Sequence, residues 1–415
     1  MLSITSGSIF IASQILFSSA AIAQQPIRIA FIDPLSGAFA SSGVNALRQF
    51  QFAAQELVNS QGGLLGGRPL EIVGFDNKAN VQESLLQLRR AIGQNMHYVI
   101  QGNGSSVGSA IASTLGRHNR RNPEQRLLYL NYAAVDPALS NEDCSFWHFS
   151  FDAHAIIKMQ ALTDLIAQQE DVKKVYIIGQ DYSFGKVVAD TAISMLASKR
   201  PDIEIVGNEL HPMEVVKDFT PYVTKIAASG ADAIITGNWG ADMVSLAKSI
   251  TEVGIDVPVY TYYAAYDGIT ATLGESGKNQ FRMVHGGYFN PQPTKAYADY
   301  IAKFKQQYPQ HDISYPRIIL IVEMLAAAIE LAGTDDPLQV ALAFEGMQHT
   351  NIHGEPVLMR RGDHQLFQAI QISVHTDEGI VFGGDNSPYG LHTEASIALE
   401  DTLVEHSCEM TRPDQ

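Results

Sequence analysis

Ile27-Arg28-Ile29-Ala30-Phe31-Ile32 is an apolar run of strand length that stops at Asp33-Pro34-Leu35-Ser36-Gly37. Proline removes a ladder donor and glycine tolerates tight backbone, so the run ends in a turn. Beyond it Leu47, Phe50, Ala54 and Leu57 recur at spacings of three and four, one face of a helix. Gln61-Gly62-Gly63-Leu64-Leu65-Gly66-Gly67 closes that helix. The unit then repeats. Residues 70–75 read as a strand. Asn80 with Glu83 three positions later reads as a capping box for a helix facing inward with Leu85, Leu88 and Ile92. Residues 98–100 form a strand, 106–118 a helix, and 127–131 another strand. Strict alternation of this kind builds a parallel sheet with helices on both faces.

A second series starts after about Phe151, with strands predicted at 174–178, 203–206, 233–236, 259–262 and 283–287. Residues 295–346 are mostly helical in pattern, and the last strands fall at 369–374 and 380–382. Two such series in tandem, with no Pro-rich or Ser-rich linker between them, predict two similar α/β lobes joined by short ordered crossings. The length of 415 residues accommodates both. The charge balance of 28 Lys+Arg against 44 Asp+Glu leaves a net charge of −16, which offers no basic footprint for nucleic acid or anionic membrane.

Residues 1–23 read as a cleaved signal peptide, with an apolar core over 9–17 and Ala21-Ile22-Ala23 before the cut. No Lys or Arg precedes that core, so a buried N-terminal helix is the competing reading. No Cys lies near the cut to carry a lipid. The most apolar later stretch, 318–331, is short and contains Glu323 and Glu330, which suits a packed helix better than a bilayer span. The two cysteines, Cys144 and Cys408, are too few for a zinc site and are expected to pair as a disulfide if the chain is exported. No cofactor or metal is expected: His349 and His353 are spaced as ligands, but Gly354 and Pro356 make that stretch a turn.

Gly102-Asn103-Gly104-Ser105-Ser106 lies between a strand and a helix. Glycine permits close approach of a ligand, the helix N-terminus offers N–H groups and a positive dipole end, and the serines add hydroxyls, a set that suits a carboxylate. Three other readings compete. Val107 stands where a dinucleotide fingerprint needs its third glycine. Gly104-Ser105-Ser106-Val107-Gly108 fits a nucleophile elbow, which keeps an exported esterase using Ser106 open. A serine N-cap is the plain structural role.

The stretches 27–36 (IRIAFIDPLS), 59–67 (NSQGGLLGG) and 98–106 (YVIQGNGSS), followed by 174–185 (KVYIIGQDYSFG) and 232–238 (DAIITGN), resemble in order the leucine/isoleucine/valine-type branch of type I periplasmic binding proteins of ABC importers. The resemblance implies two Rossmann-like lobes joined by three crossover hinges near 146–150, 283–288 and 357–361. It implies lobes formed by 24–148 with 287–358 and by 149–286 with 359–415. It also implies a periplasmic monomer that closes on a small molecule and hands it to an inner-membrane permease, with no chemistry.

In such relatives the serine loop holds a ligand carboxylate, a role that falls on Gly104, Ser105 and Ser106 here. Ala133 matches a backbone-carbonyl position beside Ala134, and Val135 replaces a threonine. Phe184 and Trp239 fall at aromatic positions, and Phe39 and Ser42 follow the first turn. Tyr263 falls near the place of the glutamate that pairs a ligand ammonium, and Asp267 is the first carboxylate after it. Since an unpartnered buried ammonium costs several kcal/mol, the substitutions point toward an aromatic carboxylate ligand. A branched-chain or other amino acid, or an amide, is the alternative.

Overall fold

The alternating apolar runs form two open sheets in the computed structural model of the chain, which describes residues 25–265 and 267–413. The expected signal peptide lies outside the described residues. The first sheet contains β1 (Ile27–Asp33), β2 (Leu70–Asp76), β3 (Tyr98–Gln101), β4 (Leu128–Asn131) and β5 (His148–Ser150), all parallel, in the order β2-β1-β3-β4-β5. Its early helices are α1 (Ala40–Ala53), α2 (Val81–Gly93) and α3 (Ser105–Arg121). Asn80 caps α2 by accepting from Gln82 and Glu83 N–H. The other half of the expected capping box is replaced, because the Glu83 carboxylate accepts from Gln87 instead.

The chain then leaves this sheet and forms α4 (Ala155–Ala167), β6 (Lys174–Gln180), α5 (Ser183–Lys199), β7 (Glu204–His211), α6 (Thr220–Ser229), β8 (Ala233–Thr236), α7 (Gly240–Val253), β9 (Val259–Thr261), α8 (Ile269–Leu273) and β10 (Phe281–Gly286). Strands β7-β6-β8-β9-β10 repeat the order of the first sheet. Helices α9 (Lys295–Gln307), α10 (Arg317–Ala332) and α11 (Pro337–Phe344) return to the first lobe. There Phe52 of α1 packs on Tyr300 and Phe304, and the apolar face of α10 joins the first core. A small sheet of β11 (Gln348–Thr350), β12 (Pro356–Met359) and β13 (Leu366–Phe367) leads to β14 (Ile370–Thr376) and β15 (Gly390–Ile397). These two extend the second sheet antiparallel beyond β10, making it mixed rather than wholly parallel.

Residues 380–382 are not a strand. The edge strand of the hairpin is β15, whose GLHTEASI sequence alternates weakly and lies half-exposed. The chain passes between the sheets over 151–154, 287–294 and about 360–369. The tail beyond β15 then crosses back. Cys144 and Cys408 form a disulfide, and Arg412 pairs with Glu345.

At the first crossing Asp152 meets two cations, Lys158 Nζ at 2.7 Å from α4 and Arg317 Nη2 at 3.0 Å from the start of α10. Asp152, Lys158 and Arg317 are all buried. Arg317 Nε also donates to the Tyr132 carbonyl. Burial pulls the Lys158 ammonium down to about 8, against the opposing pull of Asp152. One carboxylate holds two buried cations, so its removal leaves both uncompensated. Asp152→Asn is expected to lower stability by about 3–5 kcal/mol in urea unfolding. Lys158→Met, which leaves the Asp152–Arg317 pair intact, is expected to cost much less, and equal losses for the two variants would contradict this account.

Candidate functional site

Both sheets reverse their winding direction between their first and third strands, and the carboxyl ends at those two points face one another. Such reversals are where open α/β sheets bind ligands. A cleft there is lined from the first lobe by Ser42, Gly102, Asn103, Gly104, Ser105, Ala133, Val135 and Tyr315. Tyr182, Phe184, Trp239, Gly240, Tyr263, Asp267 and Ile269 line it from the second lobe.

The loop after β3 is shaped from below. Asp33, at the end of β1, is buried and accepts from Gly102 N–H at 3.3 Å, Asn103 N–H at 3.1 Å and the Tyr132 hydroxyl at 2.6 Å. Burial raises its carboxyl to about 7, and these donors oppose the rise. Gly104 then takes φ +96°, a left-handed value that a side chain resists, and precedes α3 with no side-chain cap. The first-turn N–H groups of α3 and the buried Ser105 thus end at the cleft. Ser106 is exposed outside the lining, and Ala134 is buried beneath it against Gly108. The lining contains no histidine among the described residues that could serve as a base for a serine nucleophile.

After β4, the Asn131 side chain accepts from Ala133 and Ala134 N–H and donates to the Ala134 carbonyl, turning the chain so that Ala133 and Val135 line the cleft. The second lobe supplies aromatic rings. Trp239 donates through Nε1 to the Tyr182 hydroxyl at 2.9 Å, and Phe184 meets Tyr262 and Tyr263 edge-on. Phe184 is 1% exposed, so it serves the core as well as the wall. Phe39 from the first lobe stacks on Trp239 at 4.1 Å between ring centroids, across the opening. Gly240 makes room for it: a Cβ there would lie 2.2 Å from Phe39 Cδ1.

Asp267 enters this wall through a turn of its own, at φ +57°. Its carboxylate accepts from Ser42 Oγ at 2.7 Å and from Asn45 Nδ2 at 3.4 Å, both on α1 of the opposite lobe. Desolvation raises its carboxyl to about 6; Ser42 and Asn45 oppose the rise, and Asp385 and Asp312 add to it. Sequence reasoning noticed this residue but placed weight on Tyr263, four positions earlier. Tyr182, Tyr315 and Ile269 are not among the residues that sequence reasoning singles out; of these only Tyr182, two residues before Phe184 and also aromatic, carries a usable signal.

Residues 26–378 match the family described as periplasmic binding protein. The chain is 27% identical over 412 residues to the Leu/Ile/Val-binding protein homolog 4 of Brucella melitensis, covering 96% of each. It superimposes with a TM-score of 0.82, at 25% identity, on a leucine-, isoleucine-, valine-, threonine- and alanine-binding protein from Brucella ovis in its closed conformation. That alignment covers 94% of this chain and 100% of that one. A benzoate-bound solute-binding protein of an ABC transporter from R. palustris shares the fold at a TM-score of 0.77 and 16% identity, over 92% and 99% of the two chains. With two sheets of the same strand order facing one cleft and a family match across most of its length, the chain belongs to the periplasmic binding protein family, as a solute-binding protein of the ABC-transporter type.

Proposed function

We propose that the protein captures an apolar α-amino acid between its lobes for an inner-membrane ABC permease. The observation that carries this reading is Asp267, a half-buried carboxylate at the cleft wall whose hydrogen-bond partners are the neutral Ser42 and Asn45. Its nearest like charges, Asp385 and Asp312, make it a poor neighbour for an anion and a good one for an ammonium. The Ser105 end of α3 takes the ligand carboxylate, and the Ala133 carbonyl is a second acceptor for the ammonium. Val135, Ile269, Phe184 and Trp239 receive an apolar side chain. The names of the Brucella relatives, for Leu, Ile and Val, support the same class.

The remaining parts of the reading follow from the family: export by residues 1–23, action as a monomer, no catalytic step, and hinge motion about the three crossings. In it, 24–148 with 287–358 moves against 149–286 with 359–415. An aromatic carboxylate is the second reading, favoured by the rings of Tyr182, Phe184, Trp239 and Tyr263 and by Val135 in place of a hydroxyl.

Isothermal titration with L-leucine, L-valine, L-phenylalanine and benzoate separates the two, with Trp239 fluorescence as a second readout of closure. Asp267→Asn is expected to weaken amino-acid binding by about 2–5 kcal/mol, the usual loss for one partner of a buried charge pair. Binding of benzoate and of no amino acid sinks the reading.

The pH dependence has opposite signs for the two ligand classes. The ammonium needs ionised Asp267, whose carboxyl sits at about 6. Amino-acid affinity is therefore expected to be full above pH 7 and to fall by about tenfold by pH 5. A benzoate-type anion is instead repelled by ionised Asp267 and is expected to bind more tightly as pH falls from 7 toward 5.

A further inference from the structure

The loop between β14 and β15 contacts both lobes, and one residue of it grips the segment that carries Asp267. The Asp385 carboxylate accepts from Gly268 N–H at 3.0 Å and from Ala271 N–H at 3.2 Å, the residues just after Asp267 and at the start of α8. The Asp385 N–H donates to Asp312 Oδ2 at 2.8 Å, in the first lobe between α9 and α10. Asp312 is itself ion-paired with Lys305 at 2.6 Å, and the neighbouring Asn386 donates to Gln310 at 3.2 Å. Asp385 and Asn386 both hold left-handed backbone, at φ +53° and +54°, which leaves the carboxylate and the backbone N–H turned to different partners.

We infer that Asp385 is a positioning residue for ligand binding: it fixes the turn that presents Asp267 to the cleft, and it does so most fully when the lobes are closed and Asp312 receives its N–H. The inference rests on the reading of Asp267 as the ammonium partner. A carboxylate that accepts N–H groups three residues apart acts as a cap for the short α8, which has no cap from its own Gly268. Without it the Gly268 and Ala271 N–H groups lose their side-chain acceptor, and the turn at φ +57° keeps the Thr272 hydroxyl on the Gly268 carbonyl at 2.6 Å.

Charge acts in the same place. The groups facing Asp267 are Ser42 and Asn45 from α1, Tyr315 ahead of α10, Asp312 with its partner Lys305, and Asp385 from the hairpin. Neutralising Asp385 removes one like charge and makes Asp267 ionise more readily.

The test is a double-mutant cycle read as the Kd for L-leucine between pH 5 and 8, with melting temperatures alongside. Asp385→Ala is expected to raise Kd on the order of tenfold at pH 7.5, the weight of hydrogen bonds to a charged acceptor. Asp385→Asn keeps one acceptor, so it is expected to recover most of that affinity and to shift the midpoint of the pH dependence downward. In an Asp267→Asn background, Asp385→Ala is expected to add little, since residues acting through one another are not additive.

Additive losses, or wild-type affinity and an unmoved pH midpoint in Asp385→Asn together with wild-type affinity in Asp385→Ala, overturn the inference while leaving the amino-acid reading intact. Failure of the wild-type protein to bind any amino acid overturns both. Should Asp385→Ala not fold, the pH midpoint of Asp385→Asn decides.

Discussion

The buried contact of Asp152 with Lys158 and Arg317 is the constraint on which the rest of the molecule depends. It joins a crossing segment, a helix of the second lobe and a helix of the first in one charged knot. Two cations and one carboxylate away from water are costly unless held in tight geometry, so the three elements cannot drift independently. The knot also reaches the cleft. Lys158 lies 5.4 Å from the Tyr263 ring centre and Arg317 lies 5.0 Å from that of Tyr315, and both rings line the site. Through Arg317 the chain of contacts runs to the Tyr132 carbonyl, through the Tyr132 hydroxyl to Asp33, and from Asp33 to the N–H groups of Gly102 and Asn103. The binding loop is thus braced by the same residues that hold the lobes in register.

Around this base the contacts between lobes are few and directional. Phe39 stacks on Trp239, Ser42 and Asn45 reach Asp267, and Asp312 receives the Asp385 N–H. Each of these is of modest worth on its own, which suits a closed state that a ligand stabilises by bridging both walls. In the proposed reading, a ligand that touches Ser105 in one lobe and Asp267 in the other bridges the two walls of the cleft. The tail adds a covalent brace away from the opening. The disulfide between Cys144 and Cys408 spans 264 residues of sequence and lies beside the last crossing, so it restrains the unfolded chain without entering the cleft.

The architecture was legible because its signals are local. The run ending at Asp33-Pro34, the helical spacing of Leu47, Phe50 and Ala54, and the recurrence of that unit each act within a few residues. Together they are enough to place two similar sheets in series. The edge hairpin was misplaced to 380–382 because β15 lies half-exposed and carries Thr393 and Glu394 where an apolar alternation would have marked it. In the site, the Gly-Ser loop was readable for the same local reason. Asp33 and Asp267 were not, since their meaning comes from residues far along the chain: Tyr132 for one, Ser42 and Asp385 for the other. The inference from Val135 and Tyr263 toward an aromatic acid assumed that no carboxylate reaches the cleft. The left-handed turn at Asp267 brings one there.

Three aspartates, two of them buried and Asp267 half-buried, differ in what answers their charge. Asp152 is answered by two cations of the protein itself. Asp33 is answered by two backbone N–H groups and a tyrosine hydroxyl, is fully enclosed beneath the loop, and is absent from the lining. Asp267 alone of the three lines the cleft, and it is answered by a hydroxyl and a long amide contact while two further carboxylates stand near. A carboxylate held in low dielectric with neutral donors and like-charged neighbours gains more from an arriving cation than from any other group. Set across the cleft from the positive end of α3, it makes the two walls electrically unlike. That difference is the basis of the proposed amino-acid reading: a zwitterion whose two charges are one carbon apart would match it, whereas a simple acid would meet one wall favourably and the other not.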